Sequence, residues 1–330
     1  MAGEFALIER LLQQVTPAHA NAAPGLLLGP GDDCALIAPP AADEVFAITT
    51  DMLVEGTHFL GTDNPIDLGW KTLAVNLSDL AAMGALPRYV TLAVSLLATD
   101  DSTGWVDQFF IGFADCAKQY DVSLIGGDTT CGPRSFSVTA FGTVNPRQAL
   151  RRSGACAQDD IWISGTPGMA ALGLAHKLGT TALPAALEAT ASAALHHPLP
   201  RVALGLALAG LAHSCLDVSD GLLQDLGHIA QASGLPATLE LAALPPTPPG
   251  VDTALWQQCL LGGGDDYELL FTASPNNRTD IEALATQLAL PLHRIGQMHT
   301  DGKAGTITLL DTHQKSVDLS HLRQGFDHFA

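Results

Sequence analysis

The chain has 330 residues, 47% of them hydrophobic and 15% charged, with 34 acidic against 15 basic side chains and a net charge of −19. That length buries the core of one large domain or two ordinary ones, and the charge argues against a nucleic-acid backbone or an anionic membrane surface as partner. Leading from the N-terminus, Glu4–Gln14 reads as a short helix with Phe5, Ile8, Leu11 and Leu12 on one face. Val45–Thr50 reads as a strand. Asp67–Met83 reads as a helix ended by Gly84 and Pro87, in which Leu73, Leu77 and Leu80 form an apolar stripe while Asn76 and Asp79 fall three apart on another face. Tyr89–Leu97 is strand-like and Trp105–Tyr120 helical. Val122–Ile125 is a strand running into Gly126-Gly127-Asp128, and Ser135–Val144 is another. A hinge is expected around Pro146–Gly154, which carries Arg147, Arg151 and Arg152. A second series follows: a strand at Asp160–Ser164, a helix after Gly168, a helix over Arg201–Ala212, and a rigid proline-rich loop at Leu244–Gly250. The pattern predicts an α/β or α+β protein of two domains, residues 1–148 and 149–330.

Aspartates recur at the edges of apolar runs and beside glycines. Asp32 and Asp33 follow Gly31, Asp51 follows Val45–Thr50, Asp79 lies in the Ala74–Leu80 helix and Asp128 follows two glycines. Asp217 and Asp220 flank Ser219 before Gly221, and Asp265 and Asp266 follow three glycines. Surface acids normally scatter over exposed helix faces. Carboxylates stationed at strand ends and glycine turns suit hard divalent cations, since Mg²⁺ takes oxygen ligands. An anionic protein handling an anionic phosphate substrate needs such cations as a bridge.

Other chemistries lack their signatures. There is no GxxxxGK[ST], because Gly69-Trp70-Lys71-Thr72 lacks the second glycine and its lead-in; no GxGxxG follows a strand, and no GxSxG elbow occurs. The six cysteines, Cys34, Cys116, Cys131, Cys156, Cys215 and Cys259, show no CxxC or Cys/His metal spacing, so no zinc site is expected. Most sit in apolar context and read as buried free thiols of a reducing compartment. The N-terminus carries Glu4 and Glu9 and lacks a basic-then-apolar leader pattern, and no run reaches about 18 apolar residues. A cytoplasmic protein is expected. Of the histidines, His58 stands out because it closes the acid-containing run Thr49–His58.

Six motifs occur in order: Gly31-Asp32-Asp33-Cys34-Ala35; Thr50-Asp51-Met52-Leu53-Val54-Glu55-Gly56-Thr57-His58-Phe59; Lys71-Thr72-Leu73-Ala74-Val75-Asn76-Leu77-Ser78-Asp79-Leu80-Ala81-Ala82-Met83-Gly84; Gly126-Gly127-Asp128-Thr129; Asp217-Val218-Ser219-Asp220-Gly221-Leu222; and Gly263-Gly264-Asp265-Asp266-Tyr267-Glu268-Leu269. With Gly3-Glu4-Phe5 at one end and Gly325-Phe326-Asp327-His328-Phe329 at the other, the whole chain resembles the thiamine-monophosphate kinase family. The resemblance implies the fold shared with aminoimidazole ribonucleotide synthetase, with an N-terminal ATP- and Mg²⁺-binding domain whose sheets pair in a homodimer and a C-terminal α/β domain. It implies direct transfer of the γ-phosphoryl of ATP to thiamine monophosphate, assisted by several Mg²⁺ ions and passing through no phosphoenzyme.

The implied metal ligands are Asp33, Thr49, Thr50, Asp51, Asp79, Asp128, Asp217 and Asp220, with Asp51, Asp79 and Asp217 central to catalysis. ATP would meet Gly127, Asp128, Arg152 and Ser219; thiamine monophosphate would meet His58, Asp265 and Phe326. Plainer roles compete. Asp220 could cap the helix after Gly221, Arg152 could be a solvated charge, Phe326 a core anchor, and Gly165-Thr166-Pro167-Gly168 a plain strand-to-helix turn rather than a phosphate cradle. Two positions depart from the family pattern: Asp265 stands where glutamate is usual, and Phe110 where a hydroxylated aromatic is common. Alternatives to the kinase are another ATP-using enzyme of this fold, a metal-dependent phosphohydrolase, and a non-catalytic protein binding divalent cations.

Overall fold

The computed structural model describes residues 10, 11, 13, 24–30, 34–319, 325 and 326. The chain divides into two units, residues 1–80 with 85–147, and residues 81–84 with 148–330.

In the first unit, β1 (Leu26–Leu28) and β2 (Leu36–Ile37) form a two-stranded ribbon. The main sheet has four strands in the order β3-β6-β4-β5, built from β3 (Val45–Val54), β4 (Leu86–Leu96), β5 (Ser123–Cys131) and β6 (Ser135–Val144). β3 and β4 each run antiparallel to β6, and β5 runs parallel to β4. Among the described residues, helices α1 (Pro65–Ala82) and α2 (Trp105–Gln119) accompany the sheet. Asn64 starts α1 by accepting the Ile66 N–H on its Oδ1 at 2.8 Å, and Pro65 fits the first turn, where its missing N–H costs nothing. Gly84, with φ +63°, supplies the left-handed conformation that ends the helix. The glycine of Gly69-Trp70-Lys71-Thr72 has a packing role: a side chain there would overlap the Phe109 carbonyl oxygen, and one at Gly112 would overlap that of Ile66. The two helices thus cross backbone to backbone. Phe109, Phe113 and Phe136 fill the space beneath, fully buried, with the Phe109 and Phe136 rings 4.5 Å apart.

The second unit is a mixed, mostly antiparallel sheet of six strands in the order β12-β9-β11-β7-β10-β8. Its strands are β7 (Asp160–Ser164), β8 (Ala212–Asp217), β9 (Ala237–Glu240), β10 (Leu269–Ala273), β11 (Leu292–Met298) and β12 (Ile307–Leu310). Its helices are α3 (Met169–Lys177), α4 (Ala185–His196), α5 (Val202–Ala207), α6 (Leu222–Ser233), α7 (Thr253–Gly262) and α8 (Arg278–Gln287). β7 and β10 are buried at every position, which is why they read as continuous apolar runs rather than alternating ones. The proline-rich loop is pinned by the buried Trp256, whose indole N–H donates to the Pro245 carbonyl at 3.1 Å.

Several boundaries differ from expectation. β3 extends through Asp51 to Val54 because the ladder with β6 continues to Ser135. β5 runs through Gly126-Gly127-Asp128 to Cys131, since its ladder with β4 absorbs the glycines at a bulge. The helix expected over Arg201–Ala212 stops at Ala207; Gly210, at φ +80°, turns the chain and Ala212 already opens β8. Only three of the six cysteines, Cys116, Cys215 and Cys259, are buried, whereas Cys34, Cys131 and Cys156 are exposed. The helix expected at Glu4–Gln14 lies largely outside the described residues.

Candidate functional site

The acids of the first unit are placed by two periodicities. Along β3 successive side chains alternate faces, so Thr49, Asp51 and Leu53 share one face while Ile48, Thr50 and Met52 share the other. Along α1, Asn76 and Asp79 are three apart and lie on one side. The structure joins these two rows. The Thr49 hydroxyl donates to the Asp79 carboxylate. Asn76, 1% exposed, donates through Nδ2 to the Thr72 carbonyl at 3.1 Å and accepts the Asp51 backbone N–H on Oδ1 at 2.9 Å. Thr49, Asp51 and Asp79 therefore form one corner, with Asn76 holding the strand to the helix. The Asp51 carboxyl is pushed up to about 7, first by burial and then by the negative charge of Asp79. Two carboxylates this close resist ionising together. A divalent cation removes that conflict, and the all-oxygen donor set suits Mg²⁺.

Thr50 and Asp128 are not part of that corner. The Thr50 hydroxyl shares a 2.7 Å hydrogen bond with that of Thr139. Asp128 pairs with Ala93, Ala93 with Ser137 and Ser137 with Met52, so Asp128 shares the sheet face of Thr50 and Met52, where it is exposed. Gly127 precedes it where a side chain would overlap the Leu92 carbonyl oxygen. His58 sits in the turn after β3; its Nδ1 accepts the Val54 N–H at 3.0 Å. That bond assigns the neutral ring proton to Nε2 and makes Nε2 the donor. Asp33 lies outside the described residues. Phe110 is 5% exposed and packs edge-on to Phe109 at 5.5 Å, so the missing hydroxyl falls in an aromatic cluster.

In the second unit the acids are held by backbone. Asp217, 7% exposed, ends β8 opposite Leu269 of β10. The turn Val218–Gly221 is clasped by Asp265–Glu268: Asp265 N–H donates to Ser219 O, Tyr267 N–H to Val218 O and Val218 N–H to Glu268 O, each at 2.8 Å. Glycines make this approach possible. A side chain at Gly264 would overlap the Ser219 carbonyl oxygen, and one at Gly221, which has φ +144°, would stand 3.0 Å from the Gly262 carbonyl carbon. Asp265 and Tyr267 take φ +69° and +52°, and Tyr267 Oη donates to Asp265 Oδ1 at 3.1 Å. Asp220 does not cap α6 through its carboxylate. Its Oδ2 accepts Gln224 Nε2 at 3.1 Å, while Asp225 Oδ2 takes the Asp220 and Gly221 N–H groups at 3.2 and 3.1 Å. Burial first, and the Asp220 charge with it, push the Asp225 carboxyl up to about 6, while the Gly221 and Asp220 N–H bonds and the positive charge of Arg152 pull it down. Phe326 donates its backbone N–H to Asp220 O at 3.1 Å. Arg152 is exposed.

Several roles in this corner escaped the sequence reading. Asp266 accepts the Gly168 N–H at 2.7 Å and the Ala170 N–H at 3.4 Å, so it caps α3 from a distant loop. The Gly168 and Ala170 amides are thus already engaged by a carboxylate. Burial raises Asp266 well above the ordinary carboxylate range, against the pull of those two N–H bonds. Glu268, 6% exposed, receives the guanidinium of Arg201, with Nε at 2.7 Å, and the Ser164 hydroxyl. The only sequence signal for this network was the run Asp265-Asp266-Tyr267-Glu268 itself; Ser164 and Arg201 carried none.

Comparison with known proteins gives a consistent picture. Residues 31–144 match the model of the AIR synthase related protein N-terminal domain, and residues 157–308 that of the C-terminal domain. A thiamine-monophosphate kinase of Escherichia coli strain K12 is 42% identical over 99% of this chain and 98% of its own length. A crystal structure of thiamine-monophosphate kinase from Stenotrophomonas maltophilia K279a is 46% identical, covers 93% of this chain and 96% of its own, and superposes with a TM-score of 0.82. AaThiL, solved in complex with AMPPCP and TMP, is 26% identical over 99% of this chain and 97% of its own, with a TM-score of 0.74. The protein therefore belongs to the AIR synthase related proteins and, within them, to the thiamine-monophosphate kinase family.

Proposed function

We propose that the protein catalyses ATP-dependent phosphorylation of thiamine monophosphate to thiamine diphosphate by direct phosphoryl transfer. The observation that carries the substrate assignment is the full-length likeness to thiamine-monophosphate kinases. The Thr49–Asp51–Asp79 corner supports the chemistry, because phosphoryl transfer needs positioning and charge stabilisation more than covalent participation. Several Mg²⁺ ions would be held by Thr49, Asp51 and Asp79 in the first corner, by Asp217 and Asp220 in the second, and by Asp33 and, on the other sheet face, Thr50 and Asp128. Bound there, those ions supply neutralisation of the phosphate charges. Asn76 keeps Asp51 in register with the helix that carries Asp79. The glycine clasp holds Asp217, Ser219 and Asp220 on a turn hydrogen-bonded backbone to backbone. Gly127, Asp128, Arg152 and Ser219 would meet ATP. His58 would donate from Nε2 to thiamine monophosphate, alongside Asp265 and Phe326.

A homodimer through the first-unit sheet is part of this reading. Its support is the outward face of edge strand β3, where Ile48 is 60% and Met52 56% exposed, a pattern unfavourable for a lone edge. A cytoplasmic setting without nucleic-acid or membrane partners fits the net charge of −19 and the absence of any helix, among the described residues, long and apolar enough to cross a membrane. The test is incubation with ATP, Mg²⁺ and thiamine monophosphate, with product identification. Equal amounts of ADP and thiamine diphosphate are expected, with free thiamine a poor acceptor. Release of inorganic phosphate without thiamine diphosphate would identify a phosphohydrolase, and equal use of free thiamine would defeat the acceptor assignment.

A further inference from the structure

The second unit holds a cluster of metal-ligating side chains apart from every residue assigned above. Cys156, Asp159 and His213 each offer a ligand atom, and these atoms all lie within 4.8 Å of one another. They come from the turn before β7 and from the second residue of β8, 54 positions apart for the Asp159–His213 pair. Asp159 is 2% exposed as a residue, while Cys156 and His213 are exposed. His213 Nδ1 stands 2.9 and 2.8 Å from the two carboxylate oxygens of Asp159. The Cys156 thiol leans on the Gly154 carbonyl at 3.6 Å.

We propose that Cys156, Asp159 and His213 form a binding site for a soft divalent cation of the zinc class, with a water as fourth ligand. The donor set is one thiolate, one imidazole and one carboxylate, which is the mixture zinc selects and Mg²⁺ does not. Tetrahedral zinc, with bonds of about 2.0–2.3 Å, separates neighbouring ligand atoms by roughly 3.3–3.6 Å. The three donors therefore need only small side-chain rotations to enclose the ion. Binding replaces the proton now shared between His213 Nδ1 and Asp159, moves the imidazole proton to Nε2, and releases the Cys156 thiol proton to solvent.

The backbone around the cluster is already set. Asp159 N–H donates to Cys156 O at 3.1 Å, and Cys156 N–H donates to Asp159 Oδ2 at 2.7 Å, closing the turn on itself. Gln158 N–H donates to Met298 O at 2.8 Å and Met298 N–H to Asp159 O at 2.9 Å, tying the turn to β11. Ala155 N–H donates to Ser233 Oγ at 3.1 Å, and Cys215 N–H to Arg151 O at 2.8 Å, tying the incoming chain to α6 and to β8. Gly154, at φ +123°, packs against His213, a side chain there standing 2.5 Å from its carbonyl oxygen. A site of three preplaced ligands loses little conformational freedom on binding.

The experiment is Co²⁺ titration of chelator-treated full-length protein in excess Mg²⁺, followed by absorption. One equivalent should bring up a thiolate-to-cobalt charge-transfer band, which one equivalent of Zn²⁺ then displaces. Cys156→Ser should abolish the band. His213→Ala and Asp159→Asn should weaken Co²⁺ binding by at least about tenfold. The double variant Cys34→Ser, Cys131→Ser, lacking the other exposed thiols, should keep the band. Cys156→Ser touches only an exposed side chain, and an unchanged thermal midpoint without metal would show that it folds. A band that survives Cys156→Ser, affinity untouched by His213→Ala, or no band at one equivalent would each overturn the site.

Discussion

The two acidic corners of this protein are built in different ways. In the first unit, strand and helix periodicity carry Thr49, Asp51 and Asp79 together, and one side chain, Asn76, sets their register. In the second, Asp217 and Asp220 are held by a turn clasped backbone to backbone, and its essential residues are glycines and positive-φ positions rather than ligands. A corner built from regular elements can lose one acid and keep its scaffold. A corner built from close backbone approach fails through residues that never touch a ligand. The contrast separates chemistry from scaffold experimentally.

The largest expected effect breaks the first corner chemically. Asp79→Asn should lower turnover at saturating ATP, Mg²⁺ and thiamine monophosphate by at least about a hundredfold, the scale for losing an electrostatic group at a transition state. Its thermal midpoint should stay near the parent's, because asparagine still accepts the Thr49 hydroxyl. Wild-type turnover would remove Asp79 from the site. The second corner should show the opposite signature. At Gly264→Ala the new methyl group meets the Ser219 carbonyl oxygen, and the expected cost is about 2 kcal/mol of stability, within the range for overpacking a close contact. Denaturant unfolding checks this. An unshifted midpoint would mean the clasp yields easily and the comparison is drawn too sharply.

The same contrast decides how much could be read beforehand. The strand at Val45–Thr50, the helix at Asp67–Met83 and the strand at Asp160–Ser164 were legible because local apolar patterning and breakers agree there; the structure extends the first to Val54 and starts the helix two residues earlier, at Pro65, behind the Asn64 cap. The pairing of Asn76 and Asp79 on one helix side was visible from spacing alone; that the partner side chain is Thr49 was not, since it needs the strand's approach to the helix. Helix α4, Ala185–His196, went unread, because alanine-rich stretches carry little periodic contrast. The cap that Asp266 places on α3, and the Glu268–Arg201–Ser164 network, join residues 67 to 104 positions apart. No local pattern specifies such pairs. The Cys156–Asp159–His213 cluster was hidden for the same reason, since His213 lies 54 positions from Asp159.

A third test sharpens the first corner without using activity. The Asp51 carboxyl lies near 7 in the fold, raised by burial first and Asp79 second, against about 3.9 in an unfolded chain. Below about pH 4 both states hold the proton and nothing is lost. Between there and about 7 the unfolded state releases it first, so metal-free stability should fall as pH rises, then level off. Asp51→Asn should remove that slope and stabilise the metal-free protein at pH 8 by about 1–2 kcal/mol, discounted because the side chain is part-exposed. Mg²⁺ should reverse the ranking, since only the parent gains from it. Equal pH slopes in parent and variant would show that the two carboxylates do not conflict.

The smallest expected effect concerns Asp265, where the second corner combines a scaffold role with a proposed contact to substrate. Its N–H donates to Ser219 O, its carboxylate accepts Tyr267 Oη, and its φ is +69°. Alanine tolerates that conformation poorly, by about 1 kcal/mol, whereas asparagine adopts it readily. Asp265→Ala therefore mixes strain with loss of charge, and Asp265→Asn isolates the charge. If the carboxylate meets thiamine monophosphate away from the transferring phosphoryl group, Asp265→Asn should raise the KM for thiamine monophosphate about threefold to tenfold, leaving kcat and the KM for ATP unchanged. That pattern is the mark of an interaction equal in ground and transition states. Aspartate is one methylene shorter than the glutamate usual at this position, so Asp265→Glu should lower that KM if the reach is limiting, since a carbon–carbon bond adds about 1.5 Å. If Asp265 serves only the turn, Asp265→Asn will leave all three constants and the thermal midpoint as they were, and Asp265→Ala will lower the midpoint alone.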